Sequence, residues 1–194
     1  KKKNNKGDVM SRLRSWIAAG FLLSSTNTFA MSSPPAPELA EPYQGSVASL
    51  AQRCVGIQSP GTGLWLRYEE NPGWADGLPS YSFSGESATS ASLFYMKPSR
   101  HQHFLLRDAS SRYLGASVTT IVRAAESAND RTEWTLESTG EGYALYNAQT
   151  GLQLAHRIRN GELYFTSALD LLSLNKETAL NFVELEGCAD FPEV

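Results

Sequence analysis

From Cys54 onward the chain is written in short runs. Apolar residues stand together or alternate with polar ones for a few positions, and then Gly, Pro, Asn, Asp or Ser interrupts them. Alternation with period two presents one face of a strand to a core, and the interrupting residues favour turns. The pattern predicts twelve short strands, over 54–58, 64–68, 81–84, 93–98, 103–108, 112–116, 120–125, 132–138, 143–147, 152–156, 162–166 and 180–187. It therefore predicts an all-β domain spanning residues 54–188. The preceding stretch is different. Residues 31–46 (MSSPPAPELAEPYQGS) are rich in Pro, Ser and Ala and read as a semi-extended linker continuing to residue 53. One or two helical turns are expected over 46–53, and residues 189–194 read as the start of a second linker.

Twelve strands divide into three sets of four, and the sequence repeats accordingly. Ser59–Arg67 reads SPGTGLWLR, Asp108–Ala116 reads DASSRYLGA and Asn147–Ala155 reads NAQTGLQLA. An aromatic residue recurs in a later strand of each set: Phe94, Trp134 and Phe182. A four-stranded unit is too small to bury its own face. Three such units must share one core and close into a barrel.

The repeat resembles the β-trefoil superfamily, and within it the ricin-B-type lectins. The stretch that carries the resemblance is Thr132–Ala155, TEWTLESTGEGYALYNAQTGLQLA, in which Trp134 falls on the Trp of the family's Gln-x-Trp strand and Thr132 replaces the Gln. The resemblance implies a pseudo-threefold barrel that binds sugar through an Asp near the second strand of a unit. The matching positions are Arg67, Ala116 and Ala155, and none is a carboxylate. Phe104–Ala116 (FLLRDASSRYLGA) also resembles the fascin-type branch, which contacts proteins. The tail, Glu184–Val194 (ELEGCADFPEV), resembles the junction at which large secreted bacterial proteins pass from a β domain to a metal-dependent amidohydrolase-like domain.

The ends and the charge set the compartment. Arg12 and Arg14 follow Met10, an apolar run covers Trp16–Leu23, and Thr28-Phe29-Ala30 closes the segment. Residues 1–30 therefore read as a secretory signal region with its start at Met10, and the chain reads as a fragment of a secreted or periplasmic protein. No run of about 18 apolar residues occurs, so no transmembrane segment is expected. The formal net charge is −3, and without the first thirty residues it is −8, with eleven basic residues against nineteen acidic. That balance, with no basic cluster, argues against nucleic acid and against anionic membranes as partners. In an oxidising compartment Cys54 and Cys188 are expected to form a disulfide, stapling the first strand to the last; the alternative is two unpaired thiols.

Candidate chemistry is sparse. His101 and His103 alternate on one strand face, as metal ligands can, but no third ligand is identifiable, and His156 reads as structural. Gly61-Thr62-Gly63 precedes a strand rather than a helix, so it is no phosphate cradle. Glu69, Glu70 and Asp76 read as a solvated loop. No Gly-x-Ser-x-Gly elbow occurs. No catalytic residue, metal or cofactor is expected. The ligand-binding candidates are aromatic. Trp74, in a Gly- and Pro-rich loop, comes first, followed by Tyr68, Tyr113 and Trp65. The expectation is a recognition or accessory domain that binds carbohydrate or the cell envelope ahead of a hydrolase domain. A free-standing lectin and a protein-binding trefoil, as inhibitor or scaffold, are the alternatives.

Overall fold

The structure is a computed structural model, and it describes residues 41–72, 77–100, 102–117, 122–159, 161–166 and 176–188. The region read as a signal lies outside the described residues. Six strands form a barrel: β1 (Cys54–Gln58), β4 (Phe94–Pro98), β5 (His103–Asp108), β8 (Glu133–Thr139), β9 (Gly142–Asn147) and β13 (Asn181–Glu184). Antiparallel ladders run β13–β1–β4–β5–β8–β9. A bridge between Tyr143 and Leu180 closes the ring from β9 to the start of β13.

Three hairpins cover one end of the barrel. They are β2 (Trp65–Glu69) with β3 (Ser80–Gly85), β6 (Tyr113–Ala116) with β7 (Val122–Ala125), and β10 (Gln153–Arg157) with β11 (Leu163–Thr166). Their returning strands meet one another: Phe83 N donates to Gly161 O at 3.0 Å, and Ser80 Oγ donates to Val122 O at 2.8 Å. Six barrel strands capped by three hairpins make a β-trefoil, the fold the threefold repeat predicts. All twelve predicted strands are present, 54–58 and 103–108 with the predicted ends and the other ten with shifted ends. A thirteenth, β12 (Lys176–Glu177), pairs with β10.

The repeat writes the core. Ile57, Leu106 and Leu145 occupy one equivalent position, Leu66, Leu114 and Leu154 a second, and Phe94, Trp134 and Leu180 a third, and all nine are at most 1% exposed; Phe182, which the sequence repeat matches to Phe94 and Trp134, falls two residues on, level with Met96 and Leu136. Burying each such side chain contributes about 1.5–3 kcal/mol, which makes these layers the main stabilising term. The Trp134 indole N–H, unable to reach water, donates to Leu114 O at 2.9 Å.

The staple is formed. Cys54 and Cys188 are disulfide-bonded with their Cα atoms 5.5 Å apart, and β1 and β13 are antiparallel neighbours with Val55 opposite Glu184. The described part of the segment read as linker is bound to the barrel. Residues 47–50 form a 3-10 helix, η1, whose Leu50 enters the core, and the Tyr143 hydroxyl donates to Gly45 O at 2.8 Å. Leu50 is apolar, and it anchors what composition alone would leave loose.

Candidate functional site

Each repeat begins with a buried polar residue that holds its own turn. Ser59 Oγ accepts from Thr62 N at 3.1 Å, and Asn147 Oδ1 accepts from Thr150 N at 3.2 Å. Asp108 Oδ1 accepts from Ser110 N and Arg112 N, both at 2.9 Å. The middle turn is one residue shorter. Ser59 N bonds to Leu64 O and Asn147 N to Leu152 O, but Asp108 N bonds to Arg112 O. The left-handed position common to all three turns is Gly63 (φ 72°), Ser111 (φ 65°) and Gly151 (φ 66°).

This shifts the register of the middle unit by one. Gln58 pairs with Trp65, Arg107 with Tyr113 and Tyr146 with Gln153, so the residues equivalent to Arg67 are Gly115 and Ala155, not Ala116 and Ala155. The equal-length match of the repeats missed the shift because Ser111 takes a left-handed conformation that sequence assigns to glycine. None of the three corrected positions carries a carboxylate.

The aromatic candidates separate. Trp65 is 3% exposed and Tyr113 is 7% exposed, so both belong to the packing beneath the hairpins. Trp74 lies outside the described residues. Tyr68 is half-buried. Its ring lies 3.3 Å beneath the Arg112 guanidinium carbon, with Tyr81 edge-on at 5.9 Å. Asp108 Oδ2 accepts from Arg112 Nε at 2.8 Å and from the Tyr81 hydroxyl at 2.9 Å. Burial and then the Asp108 charge push the Tyr81 hydroxyl far above its usual range, keeping it a neutral donor. Tyr68 thus seals the junction between the first and second units.

The opposite face of the same hairpin is polar. Arg67 and Glu69 alternate on β2, opposite Ser82 and Ser80 of β3. Glu69 is the last residue of β2 rather than part of a loop, because its backbone pairs with Ser80. Ser84 Oγ donates to Glu69 Oε1 at 2.6 Å, Arg67 Nε lies 3.6 Å from the same oxygen, and Ser82 Oγ donates to Ser84 Oγ at 3.1 Å. Among the described residues Glu69 Oε2 has no hydrogen-bond partner, and the side chains of Arg67 and Glu69 are 48% and 23% exposed. A carboxylate, a guanidinium and a hydroxyl therefore meet two residues beyond the position where the family resemblance places its Asp. The loop 70–79, which carries Trp74, leaves and returns through the paired residues Glu69 and Ser80. Glu69 and Glu70 read as loop in sequence, just past the predicted strand 64–68, which hid the carboxylate of this face.

In fold, the chain is similar to lectins. A Polyporus squamosus lectin bound to a human-type influenza-binding epitope aligns with a TM-score of 0.53 at 12% identity, over 70% of this chain and 50% of that one. A GlcNAcα1-4Gal-releasing endo-β-galactosidase from Clostridium perfringens aligns at 0.54 and 14% identity, over 69% of this chain and 33% of that one. SeviL bound to asialo-GM1 saccharide aligns at 0.50 and 16% identity, over 70% of this chain and all of that one. The chain thus spans half of the first of these proteins and a third of the second. No protein-family model and no curated protein matches the chain.

The two described histidines each face a glutamate. His103 Nδ1 lies 3.2 Å from Glu133 Oε2, which also accepts from Arg100 Nε at 2.6 Å. Burial raises the Glu133 pKa, but the bonds from Arg100 and His103 outweigh it and leave the carboxyl below its ordinary range. His101 lies outside the described residues. His156 is fully buried, with Nε2 2.8 Å from Glu177 Oε2. Glu177 was not legible as a partner, because β12 is two residues long and carries no periodicity.

Proposed function

We propose that this trefoil is a non-catalytic recognition module that binds a glycan on the outer face of the β2–β3 hairpin. The observation that carries the reading is the convergence of Glu69, Arg67 and Ser84 on one exposed patch beside the β2–β3 loop. Sugar hydroxyls both donate and accept. The Glu69 carboxylate accepts from them, the Arg67 guanidinium donates to them, and Ser84 can do either. Trp74, on the loop rooted at Glu69 and Ser80, supplies the flat apolar surface on which a pyranose ring stacks. Tyr68 supports the hairpin from its inner face and contributes through position rather than contact.

The module acts outside the cytoplasm, where its disulfide persists. It works as an accessory to a larger hydrolase chain. No comparison supports the amidohydrolase-like partner that the tail resembles, and a free-standing lectin is the simpler alternative. A glycan array probed with the wild type, Glu69→Gln and Trp74→Ala tests the reading. The wild type is expected to select a defined set of glycans, and both variants to lose it. Absence of wild-type binding to any glycan would overturn the proposal.

A further inference from the structure

A second surface lies at the other end of the barrel, away from the hairpins, where a groove of about 600 Å³ runs between η1 and β8. Its walls include Val47, Ala48 and Ala51 of the η1 segment, Phe104 of β5, and Leu136 and Glu137 of β8. The volume is in the range of real ligand sites, which are about 300–1,000 Å³. The β5 ladder on β8 stops at Thr135, so Leu136–Thr139 are in register with β9 alone.

The same place in the other units is filled by the chain itself. On β4, Gln52 N donates to Met96 O at 2.8 Å and Met96 N donates to Arg53 O at 2.9 Å. On β13, Phe182 O accepts from Tyr43 N at 2.6 Å. Among the described residues, the N-terminal segment therefore supplies a strand-like partner to two of three equivalent edges, and the third lies beside a largely apolar groove. A strand edge next to apolar walls is the setting in which an extended peptide adds by backbone pairing.

The charge of the occupant follows from the rim. Arg100 is already held by Glu133 and Asp130. His103, on the same wall, faces Glu133 as well. Glu137, exposed on β8 and hydrogen-bonded to Tyr146 rather than to a cation, is the carboxylate that faces the groove. We propose that this groove takes an extended peptide in which apolar residues alternate with basic ones, the apolar side chains entering the groove and a basic one meeting Glu137. The proposal is independent of the glycan reading.

The test titrates the whole, isotope-labelled chain with a capped Val-Lys-Val-Lys-Val-Lys peptide and with its Val-Glu counterpart, followed by backbone amide resonances. The expected result is shifts at 47–51 and 136–139 with slowed amide exchange there, for the Val-Lys peptide only. Ala48→Trp, which fills the groove from an exposed position, should abolish binding without lowering the Tm. Glu137→Lys should weaken binding at least about tenfold. Shifts centred on the hairpin face, equal binding of the Val-Glu peptide, or insensitivity to both variants would overturn the proposal. So would a concentration-dependent dimer that Ala48→Trp abolishes, because a second copy would then be the occupant.

Discussion

His156 Nε2 meets Glu177 Oε2 at 2.8 Å in a site where His156 has no exposure to solvent. Facing a carboxylate, Nε2 must carry the proton. The same carboxylate oxygen accepts from Ser59 Oγ at 2.5 Å, so one glutamate ties the third unit to the turn of the first. Burial raises the Glu177 pKa, but the bonds from His156 and Ser59 and the His156 charge prevail, and the group sits below its ordinary range.

A depressed carboxyl pKa stabilises the fold above the unfolded value and ceases to do so as pH falls through the folded one. The Tm of the wild type should therefore decline below about pH 4.5. Glu177→Gln should cost about 1.5–3 kcal/mol at neutral pH and show a shallower acid decline. Thermal unfolding of both proteins from neutral to acid pH checks this. Identical pH profiles would contradict it.

Asp108 is the central acceptor of the junction between the first and second units, and it is 3% exposed. Asp108→Ala strands the buried Tyr81 hydroxyl and leaves the Arg112 guanidinium without its carboxylate. A loss of about 3–5 kcal/mol in urea unfolding is expected. Asn147 holds the equivalent turn as a neutral residue, so Asp108→Asn should retain the turn bonds and cost less than half as much.

The disulfide closes the chain over a separation of 134 residues. Replacing both Cys54 and Cys188 by Ser should cost about 2–4 kcal/mol, less than the loop entropy alone allows, because the β1–β13 ladder remains. Denaturant unfolding with and without reductant measures it. An unchanged midpoint on reduction would contradict the role given to the bond.

The fold was largely legible because its turns are punctuated and its core positions repeat. Thr62-Gly63-Leu64 and Thr150-Gly151-Leu152 make the same turn, down to the Thr hydroxyl accepting from the following Leu N–H at 3.2 Å. Legibility failed where a side chain replaced a backbone signal. Asp108 shortens its turn by binding two amides at once, and Ser111 accepts a left-handed φ with Arg107 Nη2 donating to its hydroxyl at 2.6 Å. The polar hairpin face was hidden for a different reason. Both of its strands were legible, but at the end of β2 Glu69 is followed by Glu70, and two acidic residues carry no apolar alternation to mark where strand gives way to loop. Glu177 was invisible because a contact between units depends on tertiary closure, not local pattern.

On the proposed reading, the β2–β3 face is the recognition surface. Calorimetric titration of a glycan selected by the array, against the wild type and Glu69→Gln, tests it most directly. The Glu69 side chain is partly exposed, so the variant should keep the wild-type Tm within about a degree. The predicted result is a Kd weakened at least about tenfold in Glu69→Gln, the value of one lost charge-assisted hydrogen bond. An unchanged Kd in a variant of unchanged Tm would place recognition elsewhere on the trefoil and contradict the account.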